Sequence, residues 1–252
     1  MDIDISGARI FFTLPIDFPV LGKFSVTETL VVSWLVMAII TGLCIFLTRD
    51  LKVDHISKRQ ALAEFIVEKA NGFVVGNMGE RFRYMIPFVS ALFATSVVSN
   101  LISLVGLRSP TADLSVEAGW AVVVFIMITT QKIKANGVGG YMLGFTQPIP
   151  VMTPFNILSE LATPISMACR HFGNILSGLV IDSLIYAALG VASSALLGLI
   201  PGAVGAVLSR IPILSVGIPA ITGVYFDWFS GCMQAFIFCM LTTMYIANAA
   251  EG

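Results

Sequence analysis

Charge is scarce in this sequence, and histidine is scarcer. The 252 residues hold 14 Lys and Arg, 15 Asp and Glu and 2 His. Charged residues make up 12% of the chain, where a soluble domain has about 25%. A hydrophobic fraction of 57% and a mean hydropathy of +0.92 complete the contrast. A soluble domain is excluded, and the chain reads as an integral membrane protein. The formal net charge of −1 and the lack of a basic patch leave no footprint for nucleic acid. Cys44, Cys169, Cys232 and Cys239 all lie in apolar segments, without metal-ligand spacing or a paired extracellular pattern. They read as small buried hydrophobes, so neither a disulfide nor a metal site is expected. No Ser/His pair, HExxH motif or two-carboxylate metal arrangement supports intramembrane proteolysis. The first two dozen residues contain Asp2, Asp4 and Asp17 and no basic region ahead of a short apolar core. Neither a cleaved signal peptide nor an arginine-rich transit peptide is expected there.

What the chain does have is long apolar runs. The first extends from about Thr27 to Leu47, a spanning length. Arg49, Lys52, Lys58 and Arg59 follow at once and mark this side as cytoplasmic. Residues 57–78 differ, because Ala61, Leu62, Phe65, Ile66, Lys69, Phe73 and Val74 mix apolar and charged groups at helical spacing. This predicts an amphipathic segment on the membrane surface or a connector on the soluble side. Arg81 and Arg83 flank a second span, about Met85 to Leu107, with Asn100 near its far end. The loop 108–115 lies outside, and a third span runs from about Val116 to Thr130. Lys132 and Lys134 return the chain to the cytoplasm.

Residues 135–153 are rich in glycine and proline and read as a loop. Their glycine cluster, Gly137 to Gly140, lacks the strand before and the helix after that a phosphate loop needs, so no nucleotide site is expected. Two long helical segments finish the chain, at 155–199 and 216–249, separated by Pro201-Gly202, Gly205, Pro212, Gly217 and Pro219. A helix of about 40 residues is about 60 Å long, roughly twice a hydrocarbon core. Such segments must tilt strongly, bend or protrude, and a tilted pair presents a long flank suited to cupping a curved object. The expected fold is an all-α integral membrane protein with about five transmembrane helices plus the amphipathic segment. Residues 1–24, with Pro15 and Pro19, form an external N-terminal arm, which leaves the C-terminus cytoplasmic.

One stretch organises the rest: Pro164-Ile-Ser-Met-Ala-Cys-Arg170-His-Phe-Gly-Asn-Ile-Leu-Ser-Gly178. A guanidinium at membrane depth costs from about 2.5 kcal/mol upward and cannot shed its proton. Apolar sequence continues to Ile157 on one side and Leu199 on the other, which disfavours snorkelling. Residues four apart share a helical face, so Ser166, Arg170, Asn174, Ser177 and Gly178 form one small, polar stripe. Ile165, Met167, Phe172, Ile175 and Leu176 form the opposite side, expected to face lipid.

The last segment repeats this logic, with Asp227, Ser230, Gly231, Gln234, Tyr245 and Asn248 recurring at three-, four- and seven-residue steps. Antiparallel pairing sets Gln234 near Arg170. Further polar candidates in the apolar spans are Asn100, Asp113, Glu117, Glu160 and Asp182, and such groups leading to midplane suit the movement of protons or small cations. Each has a plainer alternative. Asp113 and Glu117 fit loop or capping acids, Glu160 fits a carboxylate at a helix start, and Gln234 fits a cross-bridge between helices. His55 lies in the basic stretch and reads as solvated; His171, about 100° round the helix from Arg170, reads as a packed histidine.

At these residues the chain resembles a known family. Pro164-Ile165-Ser166-x-x-x-Arg170-x-Phe172-Gly173-Asn174-Ile175 looks like the arginine helix of subunit a of the rotary F-type ATP synthase. Gln234-Ala235-Phe236-Ile237-Phe238-x-x-Leu241-Thr242-x-x-Tyr245-Ile246 is similar to that family's last helix, and Pro110-Thr111-Ala112-Asp113-Leu114 after Asn100-Leu101 is a third match. The matches span about residues 85 to 249; the N-terminal third agrees only in its pattern of spans. The resemblance implies a stator subunit whose Arg170 faces a ring of c subunits and lowers the pKa of each passing c carboxylate. The arginine would also block leakage between two offset half-channels for H⁺ or Na⁺, coupling ion flow to rotation and ATP synthesis. It further implies b-type peripheral stalk partners, a location in the lipid bilayer of a bacterial inner membrane or an organelle, and no catalytic site or cofactor of the subunit's own. Asn174 and Gln234 match polar positions beside the arginine, and Asn100 and Asp113 match the outer half-channel region.

Two departures stand out. Many family members carry an acid where this chain has Leu179, and many of those carry a histidine where this chain has Asp227, so Asp227 is expected to act as the outer-channel acid. The family's usual leucine after the arginine is His171 here.

Two rival classes remain to be weighed. A secondary transporter with an arginine-centred anion site predicts repeated halves and helices broken at midplane, and the sequence shows no repeat. A non-conducting scaffold leaves the two aligned polar stripes without a purpose.

Overall fold

The computed structural model describes residues 9–18, 22–199 and 221–251. The first eight residues of the expected N-terminal arm, the Gly/Pro turn at 201–219 and the start of the expected last helix at 216–220 lie outside the described residues.

The arm is not helical or irregular where it is described. Residues Ile10–Phe18 (β1) and Gly22–Thr27 (β2) form an antiparallel hairpin in which Ile10 pairs with Thr27 and Phe18 with Gly22. The register shifts between Thr13 and Asp17, the stretch that contains Pro15. A proline has no N–H to give a ladder, and an irregularity is where a strand tolerates one. The hairpin leads directly into α1, Glu28–Thr48, which Thr27 caps by accepting from the Leu30 N–H.

Five helices among the described residues are long and apolar enough to cross a membrane. They include α1, then α3 (Ile86–Leu101), which is flanked by short 3₁₀ turns, and α4 (Leu114–Gly144). The others are α5 (Thr153–Gly198) and α6 (Gly231–Glu251), the latter preceded by a π-helical stretch at Val224–Ser230. The residues expected to be amphipathic form α2, Lys58–Met78. Its first half leaves Leu62, Phe65, Ile66 and Val67 about half exposed, and its second half buries Val74 and Met78 in the core. The fold is the expected all-α membrane bundle, with a two-stranded hairpin added at its start.

The expected loop at 135–153 needs correcting. Helix α4 does not stop near Thr130 but continues to Gly144, bent at Gly137, whose φ of +70° breaks the regular ladder. The glycine cluster thus serves as a hinge inside a helix, since φ > 0 is open to glycine without a Cβ clash. Only the residues after Gly144 form the connection to α5.

The core is built around α6. Of its apolar stretch 44% is buried, against 6% of that of α5. Phe238, Cys239 and Ile246 of α6 pack with Val89 of α3, Val124 of α4 and Met167 of α5, while α1 rests on α3 through Val32, Val36 and Ile102. One long side of α5 therefore has no cover from the described residues.

Candidate functional site

Helix α5 has three distinct sides where two were expected. Met167, Ala168 and His171 point inward and are buried, although Met167 was assigned to the lipid side. Ile165 and Leu176 are exposed, as a lipid-facing side requires. Arg170 and Ser166 lie on the uncovered flank. The Arg170 side chain is exposed and has no hydrogen bond or ion pair among the described residues.

Beside that arginine α5 meets the last helix. Asn174 Nδ2 donates to Ser230 Oγ at 3.0 Å, and Ser230 Oγ lies 3.2 Å from Asn174 Oδ1. One turn further along α5, Gly178 touches Phe226; a Cβ built on this glycine would stand 3.4 Å from the Phe226 Cβ. Both contacts obey one antiparallel register. Continued the other way, this register brings Arg170 level with Gln234. Gln234 is buried, and its Nε2 has no hydrogen-bond partner among the described residues.

The same register puts the backbone of Asp227, next to Phe226, within about a turn of Leu179. The side chain of Asp227 lies outside the described residues. Its backbone belongs to the π-helical stretch, whose wider turn breaks the simple four-residue stripe expected of this helix. Asp182 is half-buried, and its Oδ1 has no partner among the described residues.

A second polar group joins α3 to this layer. Asn100 Nδ2 donates to the Gly231 carbonyl at 2.9 Å, and its Oδ1 accepts from Thr111 Oγ1 at 2.6 Å. Ser109 Oγ lies 2.6 Å from Thr111 Oγ1 and also donates to the Ser99 carbonyl at 2.6 Å. The close approach needs glycine at 231, because a Cβ there would come within 3.0 Å of the Asn100 Cβ. Asp113 caps α4, accepting from the Ser115 N–H at 3.0 Å.

Glu117 is no loop or capping acid. It is fully buried, with Oε2 3.1 Å from Nδ1 of the equally buried His171, although the two are not aligned as a hydrogen bond. The other ring nitrogen, Nε2, stands 3.3 Å from Ser96 Oγ. Sequence reading singled out each residue and missed the pair, because nothing in a one-dimensional pattern couples positions on separate helices.

Glu160 is not at a helix start, since α5 begins at Thr153. It accepts from Lys132 Nζ at 2.6 Å and from the Tyr141 hydroxyl at 3.5 Å. Pro164 lacks the N–H that would bond the Glu160 carbonyl four residues back, leaving that oxygen without its helical donor. Here a cavity of about 500 Å³ opens, lined by Lys132, Tyr141, Asn156, Glu160, Tyr245 and Asn248 among others. Lys132 and Asn156 did not figure as site residues in the sequence; a lysine just past an apolar run reads only as a topology marker.

Taken together, the geometry defines a multi-pass helical membrane protein with a belt of polar side chains across its bundle and, on an open helix flank, an arginine with no partner among the described residues. The sequence supplies the family: the family described as ATP synthase A chain matches residues 30–247, and the chain belongs to it. It is a membrane subunit of an ATP synthase. Similar proteins include ATP synthase subunit a 2 of Acaryochloris marina, 31% identical over 91% of this chain and 88% of that one. ATP synthase subunit a of Desulforamulus reducens is 29% identical over 99% of this chain and 89% of that one. A third relative, from Propionigenium modestum, is named ATP synthase subunit a, sodium ion specific, and is 29% identical over 97% and 86%. A secondary transporter with an anion site finds no support among these relatives.

Proposed function

We propose that the open flank of α5 is the surface on which the ring of c subunits turns, with Arg170 as the charge that meets each c carboxylate. The observation that carries this reading is an exposed arginine, without a partner among the described residues, inside a 46-residue apolar helix whose flank the described residues leave uncovered. An intramembrane charge of this kind requires a partner from elsewhere, and a passing carboxylate supplies one.

Two polar regions serve as access routes on opposite sides of Arg170. The inner route is the cavity holding Glu160 and Tyr245. The outer route is the Ser109–Thr111–Asn100 cluster, with Asp113 at its mouth and Asp182 and Asp227 on the facing helices. Asn174, Gln234 and Ser166 flank the arginine and shape its hydration. The carried ion is H⁺ or Na⁺, and the subunit performs no bond chemistry itself. Its partners are the c-ring and b-type stalk subunits in a bacterial inner membrane, with the hairpin outside and the α4–α5 connection in the cytoplasm. The lysines at 132 and 134 support that orientation.

Cross-linking tests the facing. A cysteine at Ser166 on the α5 flank, paired with one beside the c carboxylate, should form a disulfide in the assembled complex. No disulfide from Ser166→Cys, with efficient cross-links from Trp34→Cys on α1 instead, would place the ring on another face.

A further inference from the structure

Glu117 and His171 have no place in either access route. Both side chains are completely buried, so neither meets a channel. His171 is held from three helices. Glu117 Oε2 approaches Nδ1 from α4 at 3.1 Å, Ser96 Oγ approaches Nε2 from α3 at 3.3 Å, and Phe238 of α6 packs on the ring at 5.5 Å between centroids. Trp120, one turn of α4 beyond Glu117 (three residues on), stands edge-on to the same ring at 6.4 Å.

Arg170 is the adjacent residue, about 100° round the axis. A rotation of α5 that drew the guanidinium toward the core would swing His171 away from Glu117. A buried carboxylate would then lose its partner, a loss that typically costs several kcal/mol.

We propose that Glu117 and His171 are positioning residues: a buried pair that locks the rotation of α5 and so keeps Arg170 on the open flank. The proposal rests on the reading of that flank as the working surface. The pair acts through Arg170 and touches no transported ion.

The test compares ATP-driven ion uptake per ATP hydrolysed, in vesicles holding the assembled complex, for the wild type and four variants. Wild-type uptake itself tests the underlying reading; the variants test the lock. Glu117→Met and His171→Leu each leave one polar partner buried alone, and each should lower uptake per ATP by about tenfold or more. The exchanged pair Glu117→His/His171→Glu should recover uptake to within about threefold of wild type, because it restores the pair with its members reversed. The apolar double variant Glu117→Met/His171→Leu fills the core without a lone charge, should assemble, and should remain poorly coupled. If the single variants are lost from the complex, the two double variants decide. Wild-type coupling in the apolar double variant overturns the proposal, and so does an assembled exchanged pair that couples no better than the single variants.

Discussion

Asn174 on α5 and Ser230 ahead of α6 face each other through two polar contacts, at 3.0 and 3.2 Å, and this pair sets the register in which Arg170 stands level with Gln234. The contact of Gly178 with Phe226, one turn away, follows the same register. Cysteine pairs read it directly. Asn174→Cys with Ser230→Cys, and Arg170→Cys with Gln234→Cys, should cross-link under mild oxidation, whereas Arg170→Cys with Ser230→Cys should not. Efficient cross-linking of the last pair would mean that α6 is shifted by a turn.

Gln234 separates stability from function. Its buried Nε2 lacks a partner among the described residues, and an unmet buried donor costs about 1–3 kcal/mol. Gln234→Leu should therefore raise the resistance of the subunit to denaturant while lowering ion uptake. A variant that loses both would show that the amide is a structural cross-bridge.

Gly231 allows α3 and the last helix to touch. Gly231→Ala places a methyl group 3.0 Å from the Asn100 Cβ and strains the hydrogen bond from Asn100 to the residue 231 carbonyl. Over-packing of this kind costs about 1–3 kcal/mol. Unfolding in denaturant should show a loss of that size, and an unchanged midpoint would mean that the two helices separate freely.

Glu160 and Lys132 guard the inner cavity at 2.6 Å, both partly exposed. Pairs of this kind are worth about 1 kcal/mol or less, so Glu160→Gln should assemble normally. Ion uptake should fall by about three- to tenfold, since a carboxylate at the cavity wall no longer takes part. Undiminished uptake would remove Glu160 from the inner route.

Much of this was legible in the sequence, for physical reasons. Apolar runs of spanning length gave α1, α3, α5 and the described part of the last helix, because the bilayer sets that length. Arg170 stood out because charge is so costly there, and a four-residue period placed Asn174 beside it. Elements decided by local backbone conformation or by contacts between distant residues were not legible. The first strand of the hairpin, Ile10–Phe18, contains Pro15, which hides a strand. The glycine cluster after Lys134 reads as loop, yet one turned residue, Gly137, suffices to bend a helix that otherwise continues. The π-helical stretch around Asp227 leaves no mark in composition. Glu117 and His171 were each visible, but only the packing of α4 on α5 brings them to 3.1 Å.

Arg170 carries the central claim, and ATP-driven ion uptake by vesicles containing the complex measures it most directly. With Arg170→Ala the complex should assemble and uptake should vanish, because no fixed charge remains to empty each carboxylate and to separate the two access routes. Full uptake by the alanine variant would contradict the account and leave the arginine a structural residue.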